Sequence, residues 1–256
     1  MDFQDIVYDV SDRVATVRIN RPEVHNAFRV TTIEEMTRAF ELADDDPDVR
    51  VVVLTGTGEK AFSTGGDVAM ESEFDRQAGR RMTRLLIRLA EAIRGTGKPV
   101  IAKVRGWCVG GGNELNLLCD LSVATRASRF AYTDSRLGNA PIWYATQLLP
   151  LHMSDKRARE VVMLGKTYSA EDAERLGWIN EVVDDDKLDA TVAEWCGRLL
   201  ASSPQALRLS KISMNQTSDL MLHSVRQGFE TLSYIYDTDE FHEGTAAFLE
   251  KRPPRF

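Results

Sequence analysis

The chain has 256 residues, with 32 lysines and arginines against 39 aspartates and glutamates, for a formal net charge of −7 at pH 7. That length, with 43% hydrophobic and 28% charged residues, suits one globular domain with a sizeable core. The acidic balance argues against a nucleic-acid surface, and no apolar run approaches the roughly 18–20 residues that cross a bilayer.

The acidic start, Met1-Asp2-Phe3-Gln4-Asp5, lacks the basic and apolar regions of a secretory signal. Cys108, Cys119 and Cys196 have neither disulfide-framework nor zinc spacing, so each is expected as a buried apolar residue and the protein as cytoplasmic.

Ile6 to Val10 and Val14 to Ile19 are rich in β-branched residues and read as strands around a Ser11-Asp12-Arg13 turn. Thr31 to Leu42 has helical periodicity through Ile33, Met36 and Phe40. Val51 to Leu54 is a wholly apolar run, as expected of a strand buried on both faces. The cycle repeats with a helix over Arg80 to Ile93, a strand over Val100 to Val104, a helix over Asn113 to Cys119 and a strand over Leu121 to Ala124. Such alternation predicts parallel βαβ units. After Pro150 the pattern turns helical except at Ile179 to Val183. The reading is an α/β core over 1–195 followed by a helical section over 196–256.

The chemistry is expected where strands end. Val51–Leu54 leads to Ala61-Phe62-Ser63-Thr64-Gly65-Gly66-Asp67-Val68, and Val100–Val104 leads to Gly106-Trp107-Cys108-Val109-Gly110-Gly111-Gly112-Asn113-Glu114. Glycines after a parallel strand let backbone pass close to a ligand at the carboxyl edge of the sheet. Gly110–Gly112 also opens a helix, whose free N–H groups point at that edge. Two such turns can aim two donors at one oxygen, the arrangement of an oxyanion hole. Neither turn has the spacing of a phosphate-binding or dinucleotide-binding loop.

Several segments in order resemble the crotonase (enoyl-CoA hydratase/isomerase) superfamily. They are Asn20 to Ala27, Ala61 to Asp67, Trp107 to Leu115, Cys119 to Leu121, Lys156 to Glu160 and Ala170 to Asn180. The resemblance implies a spiral of ββα units with a helical C-terminal trimerisation region, assembled as a homotrimer or a hexamer. It also implies an acyl-CoA substrate, with coenzyme A as part of that substrate and no separate cofactor or metal. Gly66 and Gly111 N–H groups would hold the thioester carbonyl, and Glu114 occupies the position of one hydratase glutamate. The second such position falls on Asp134, in Phe130-Ala131-Tyr132-Thr133-Asp134. Two carboxylates flanking a water suit syn addition across an α,β double bond. The plainer alternatives are a favourable charge at a helix N-terminus for Glu114 and a capping aspartate for Asp134.

Within the superfamily, Asn26-Ala27-Phe28-Arg29, Thr55 to Phe62 and the tail from Tyr236 to Phe256 are most similar to the naphthoyl-CoA synthase and 2-ketocyclohexanecarboxyl-CoA hydrolase subgroup. That likeness places Tyr236 at an active site and Lys251 at the CoA phosphates, with Arg252 as a further cation. The subgroup, however, has an apolar residue where Glu114 stands, a glycine at Asp134 and its catalytic aspartate at Pro141. The chain therefore joins the subgroup's frame to hydratase-like acids. By the family resemblance, His25, Ala27, Ala61, Thr64, Gly65, Asp67, Val68, Trp107, Val109, Gly110, Thr133 and Trp143 complete the expected substrate and CoA contacts.

Trp143 and Tyr144 are read as covering the acyl group or as core, and Met70 and Phe74 as part of a lid over Ala69 to Ala78. A cyclic or aromatic-pathway acyl group follows from Trp143, Tyr144 and the subgroup likeness. His152, His223 and His242 lack metal-ligand spacing and are expected on the surface. Ile212, Met214, Leu220 and Met221 read as core or subunit contact. Hydration of an enoyl-CoA is the expected activity. A hydrolase that opens a cyclic β-ketoacyl-CoA and a non-catalytic CoA-binding assembly subunit are the alternatives.

Overall fold

The computed structural model describes residues 2–256. Strands β1 (Ile6–Ser11) and β2 (Val14–Ile19) form a hairpin in which Asp12 and Arg13 take φ of 50° and 68°. Two successive positive φ values match the right-handed twist of a two-residue hairpin, so the turn is one residue shorter than expected. Then come α1 (Val30–Asp45), β3 (Val51–Gly56), β4 (Ala61–Ser63), α2 (Val68–Glu71), α3 (Arg76–Gly95), β5 (Val100–Val104), β6 (Trp107–Val109), α4 (Gly111–Leu118), β7 (Leu121–Thr125) and β8 (Arg129–Ala131). The unit is thus a longer strand, a three-residue strand and a helix, passed through repeatedly.

The remaining elements are α5 (Ala145–His152), α6 (Asp155–Leu164), β9 (Thr167–Ser169), α7 (Ala170–Leu176), β10 (Glu181–Val183), α8 (Leu188–Leu200), α9 (Pro204–Asp219), α10 (Leu222–Leu232) and α11 (Asp239–Leu249). The longer strands and the three-residue β10 line up as β1-β2-β3-β5-β7-β10, parallel after the first pair. Four other short strands form a second sheet, β4-β6-β8-β9, in which only β9 is antiparallel. Sequence pattern missed this second sheet, because a three-residue strand carries no periodicity. This is the ββα spiral, with helices filling the C-terminal section.

The larger sheet is covered on both faces, which explains its unbroken apolar strands. Ile33, Met36 and Phe40 of α1 and Leu89 and Ile93 of α3 pack with Val17, Val52, Leu54 and Val100. On the other side Val51, Val53, Ile101 and Val123 meet Leu188, Val192 and Cys196 of α8, which crosses position 195 without a break. On α9, Ile212 and Met214 are exposed, as is Leu220 just after it. These three turn away from their own chain, so the reading of them as core fails, while Met221 is half-buried. No helix among the described residues is long and apolar enough to cross a membrane.

Helix α4 and strand β4 meet at backbone contact. A Cβ on Gly112 would stand 2.1 Å from the Ser63 carbonyl oxygen, whereas one on Gly197 in α8 would meet nothing within 4 Å. Gly112→Ala is expected to lower stability by about 1–3 kcal/mol through overpacking. Gly197→Ala is expected to raise it by about 0.5–1 kcal/mol through helix propensity. Urea denaturation midpoints check both, and equal shifts in the two variants would contradict the assignment.

Candidate active site

The first glycine turn is held from behind. Phe28 N–H donates to Gly65 O at 2.8 Å and Asp67 N–H donates to Phe28 O at 3.0 Å, pairing Phe28 with Gly66 as in a parallel sheet. In that pattern the groups flanking Gly66 are consumed and its own N–H points to the opposite side, into a cleft. Asn26, at φ 56°, braces the turn: its Nδ2 donates to Ala61 O (2.7 Å) and Thr57 O (3.0 Å), and its carbonyl accepts from Ser63 Oγ (2.8 Å). Asp67, expected to contact substrate, instead accepts from Arg21 Nη1 at 3.0 Å, and the same nitrogen donates to Ala27 O at 2.7 Å. Its carboxylate fixes the turn and lies outside the cleft lining.

The second turn heads α4. Gly110, at φ 51°, donates its N–H to Ala131 O at 3.0 Å, and Gly111 N–H is a first-turn donor with no intrahelical acceptor. A Cβ on Gly65 would stand 2.8 Å from Gly111 N, so the turns touch through backbone alone. Gly66 and Gly111 both line the cleft.

Three carboxyls face this cleft. Glu114, buried in the first turn of α4, accepts from Ala145 N–H at 3.3 Å. Burial, reinforced by the charge of Asp134, holds its pKa well above the usual carboxylate range against the lowering effect of Ala145 and Trp143 N–H groups. Asp134 opens a 3₁₀ turn, Asp134–Leu137, just after β8. Its carboxyl lies over Gly110, where a Cβ would be 3.6 Å from Oδ2. Oδ2 is buried without a hydrogen-bond partner, and burial pushes this acid up to about 6. Glu71 is the third. Its Oε1 sits 1.9 Å from where a Gly66 Cβ would be, and burial, with Asp134 and Asp67 adding, pushes it up to about 8.

The rest of the lining is largely apolar, from Phe28, Met82, Leu86, Trp143, Phe229 and Leu232. Trp143 is locked: its ring meets Phe28 edge-on at 6.1 Å and Nε1 donates to Leu86 O at 2.9 Å. Tyr236 reaches the cleft of its own chain and packs edge-on to Phe74 (5.7 Å) and Phe241 (4.9 Å). Its ring fills the space where a Gly79 Cβ would be, 2.2 Å away, so α3 must carry glycine there. The Ala69 to Ala78 stretch forms α2 and the start of α3, on which Met70 and Phe74 pack against the core.

Thr64, Val68, Val109, Gly110 and Thr133 also line the cleft. His25, Ala27, Ala61, Gly65, Trp107 and Lys251 lie outside the lining, with His25, Trp107 and Lys251 exposed. Of the two readings of Tyr144 the core one holds: it is buried in the core outside the cleft lining, caps α5 at φ 71° and lies 5.5 Å from the Arg94 guanidinium. Arg252 is no free cation, because Glu243 accepts from Nη1 and Nη2 (2.6 and 2.8 Å) and Glu250 accepts from Nε (2.6 Å). Glu71 was missed, since a four-residue helix shows no face. The one available signal was an acid four residues beyond Asp67.

A ββα spiral whose paired glycine turns open on a carboxyl-lined cleft defines a crotonase-superfamily acyl-CoA enzyme. The enoyl-CoA hydratase/isomerase family model matches residues 9–256, and the chain belongs to that family. A 1,4-dihydroxy-2-naphthoyl-CoA synthase of Mycobacterium tuberculosis (strain CDC 1551 / Oshkosh) is 37% identical over 273 residues, covering 99% of this chain and 87% of the relative. An enoyl-CoA hydratase of Mycobacterium avium subsp. paratuberculosis K-10 superposes with a TM-score of 0.91 at 28% identity, covering 100% of this chain and 99% of the other. An enoyl-CoA hydratase of Bacillus anthracis does so with a TM-score of 0.81 at 30% identity, covering 99% of each.

Asp134 titrates higher in the folded chain, at about 6, than its ordinary 3.8, so the folded state binds this proton more tightly. Stability from this group is full below its unfolded pKa and falls as pH rises through about 6. Asp134→Asn is therefore expected to melt above wild type at about pH 8, with the gap closing towards about pH 4. Thermal melts across that range check this, and a pH-independent gap would contradict it.

Proposed function

We propose that the protein is an enoyl-CoA hydratase, adding water across an α,β-unsaturated acyl-CoA and running the reverse dehydration. The observation that carries this reading is the convergence of Glu114 and Asp134 on the cleft lined by Gly66 and Gly111. The thioester oxygen accepts from the two glycine N–H groups. Asp134, at about 6, favours its ionised form at neutral pH, and burial, with the charge of Asp134, raises Glu114 and favours its protonated form; in this scheme Glu114 carries the pair's proton. Asp134 takes a proton from water as the water oxygen bonds to the β-carbon, and the double-bond electrons move to the thioester oxygen. The enolate then collapses and its α-carbon takes the proton of Glu114. The pair ends with the one proton it began with, now on Asp134, and redistribution resets it. Fixed donors aimed at the developing oxyanion contribute about 3–4 kcal/mol each.

A second reading comes from the 37% identical synthase and the subgroup likeness. Ring closure of the naphthoate type would need the carboxylate that the resemblance places at Pro141, which cannot supply one. Hydrolytic opening of a cyclic β-ketoacyl-CoA would use the same water against a ring ketone, and its ring-opened product carries a new free carboxylate that an isomeric hydrate lacks.

Glu114→Gln is expected to lower kcat by roughly 10²–10⁴-fold on an enoyl-CoA while leaving binding of the ester largely intact. In wild type kcat/KM is expected to fall as pH drops through about 6, where Asp134 loses its negative charge. Steady-state rates on straight-chain, cyclic and aryl-conjugated enoyl-CoA esters, with products identified by mass, test both. Near wild-type turnover by the variant would overturn the assignment.

A further inference from the structure

The two turns carry different neighbours. Asp134 lies over Gly110, beside the α4 end of the cleft that also holds Glu114, whereas Glu71 lies over Gly66 at the other turn. The hydration scheme uses the first pair and leaves Glu71 idle. Its carboxyl caps no helix, meets no cation and receives no hydrogen bond from any described residue. An apolar side chain of similar size would fill the position without the desolvation cost of a carboxyl. Nearby, Val68, Met82 and Leu86 supply no polar partner for an acyl substituent.

We propose that Glu71 is a specificity-determining residue that donates a hydrogen bond to a neutral carbonyl oxygen on the acyl group. The cleft then selects a keto-substituted acyl-CoA over the plain hydrocarbon ester. This rests on the acyl-CoA reading of the cleft and narrows its substrate class. Burial, with the charges of Asp134 and Asp67 adding, pushes Glu71 up to about 8 and favours its protonated, donating form at neutral pH. The same two charges disfavour a carboxylate on the substrate, leaving a neutral acceptor as the complementary group. Tyr236, lining the same cleft, limits how far that acceptor can lie from the thioester.

Binding of unreactive saturated esters tests this without requiring turnover. Wild type, Glu71→Gln and Glu71→Met would be titrated calorimetrically with hexanoyl-CoA, its keto analogues with the oxygen at successive carbons, and the 6-amino analogue. Titrations would be run at about pH 6.5 and about pH 9.5, on either side of about 8. At the lower pH one keto ester is expected to bind wild type roughly tenfold tighter than hexanoyl-CoA. That preference is expected to vanish at the higher pH, to persist at both in Glu71→Gln, whose amide donates throughout, and to be absent from Glu71→Met. Equal affinities in wild type, a preference surviving in Glu71→Met, or tightest binding of the amino ester would overturn it. Binding with the expected preference but no hydration of the matching enoyl ester would defeat the hydratase reading alone. Failure to bind any CoA ester would defeat both.

Discussion

The site depends on one contact, the approach of two backbones where no side chain fits. Gly65 lies against the Gly111 nitrogen, and Gly112 lies against the Ser63 carbonyl oxygen. Because β4 and β6 are adjacent parallel strands, the turns that leave them emerge side by side at one sheet edge. Absence of Cβ atoms then lets the edges close until the donors of Gly66 and Gly111 share one cleft. Asn26, Ser63 and the Arg21–Asp67 pair hold this geometry from the rear. Their polar groups are engaged with backbone and each other, so the donors are set before substrate arrives, as electrostatic preorganisation requires.

The acids follow from the same arrangement. Glu114 is in the first turn of the helix that Gly110–Gly112 opens, and Asp134 follows the strand that pairs with β6. Their burial makes ionisation costly, and their mutual repulsion separates the two titrations. A pair poised with one proton suits a reaction that both removes and delivers one. Glu71 extends the logic, since a carboxyl surrounded by acids and apolar walls becomes a neutral donor instead of a third charge.

Local pattern revealed the longer strands, the helices between them and both glycine turns, because each is announced by an uninterrupted apolar run or by residues that only a close approach explains. Residues that act through tertiary placement were less legible. Asp67 sits in a recognisable motif yet faces Arg21, and Tyr144, next to the cleft-lining Trp143, turns to Arg94. Arg252 has the right charge but is occupied by Glu243 and Glu250. Glu71 and the apolar wall from Phe28, Met82, Leu86 and Phe229 come from four separate helices and loops, and only the folded chain brings them together. The protein's overall acidity argues against a nucleic-acid surface but is silent about a cleft whose donors are backbone.

The central claim is that Gly66 and Gly111 polarise a thioester carbonyl. Isotope-edited difference infrared spectroscopy of a CoA ester labelled at that carbonyl carbon measures this directly. The carbonyl band is expected to move to lower frequency when the ester binds. A bound ester whose carbonyl band stays where it lies in water would contradict it.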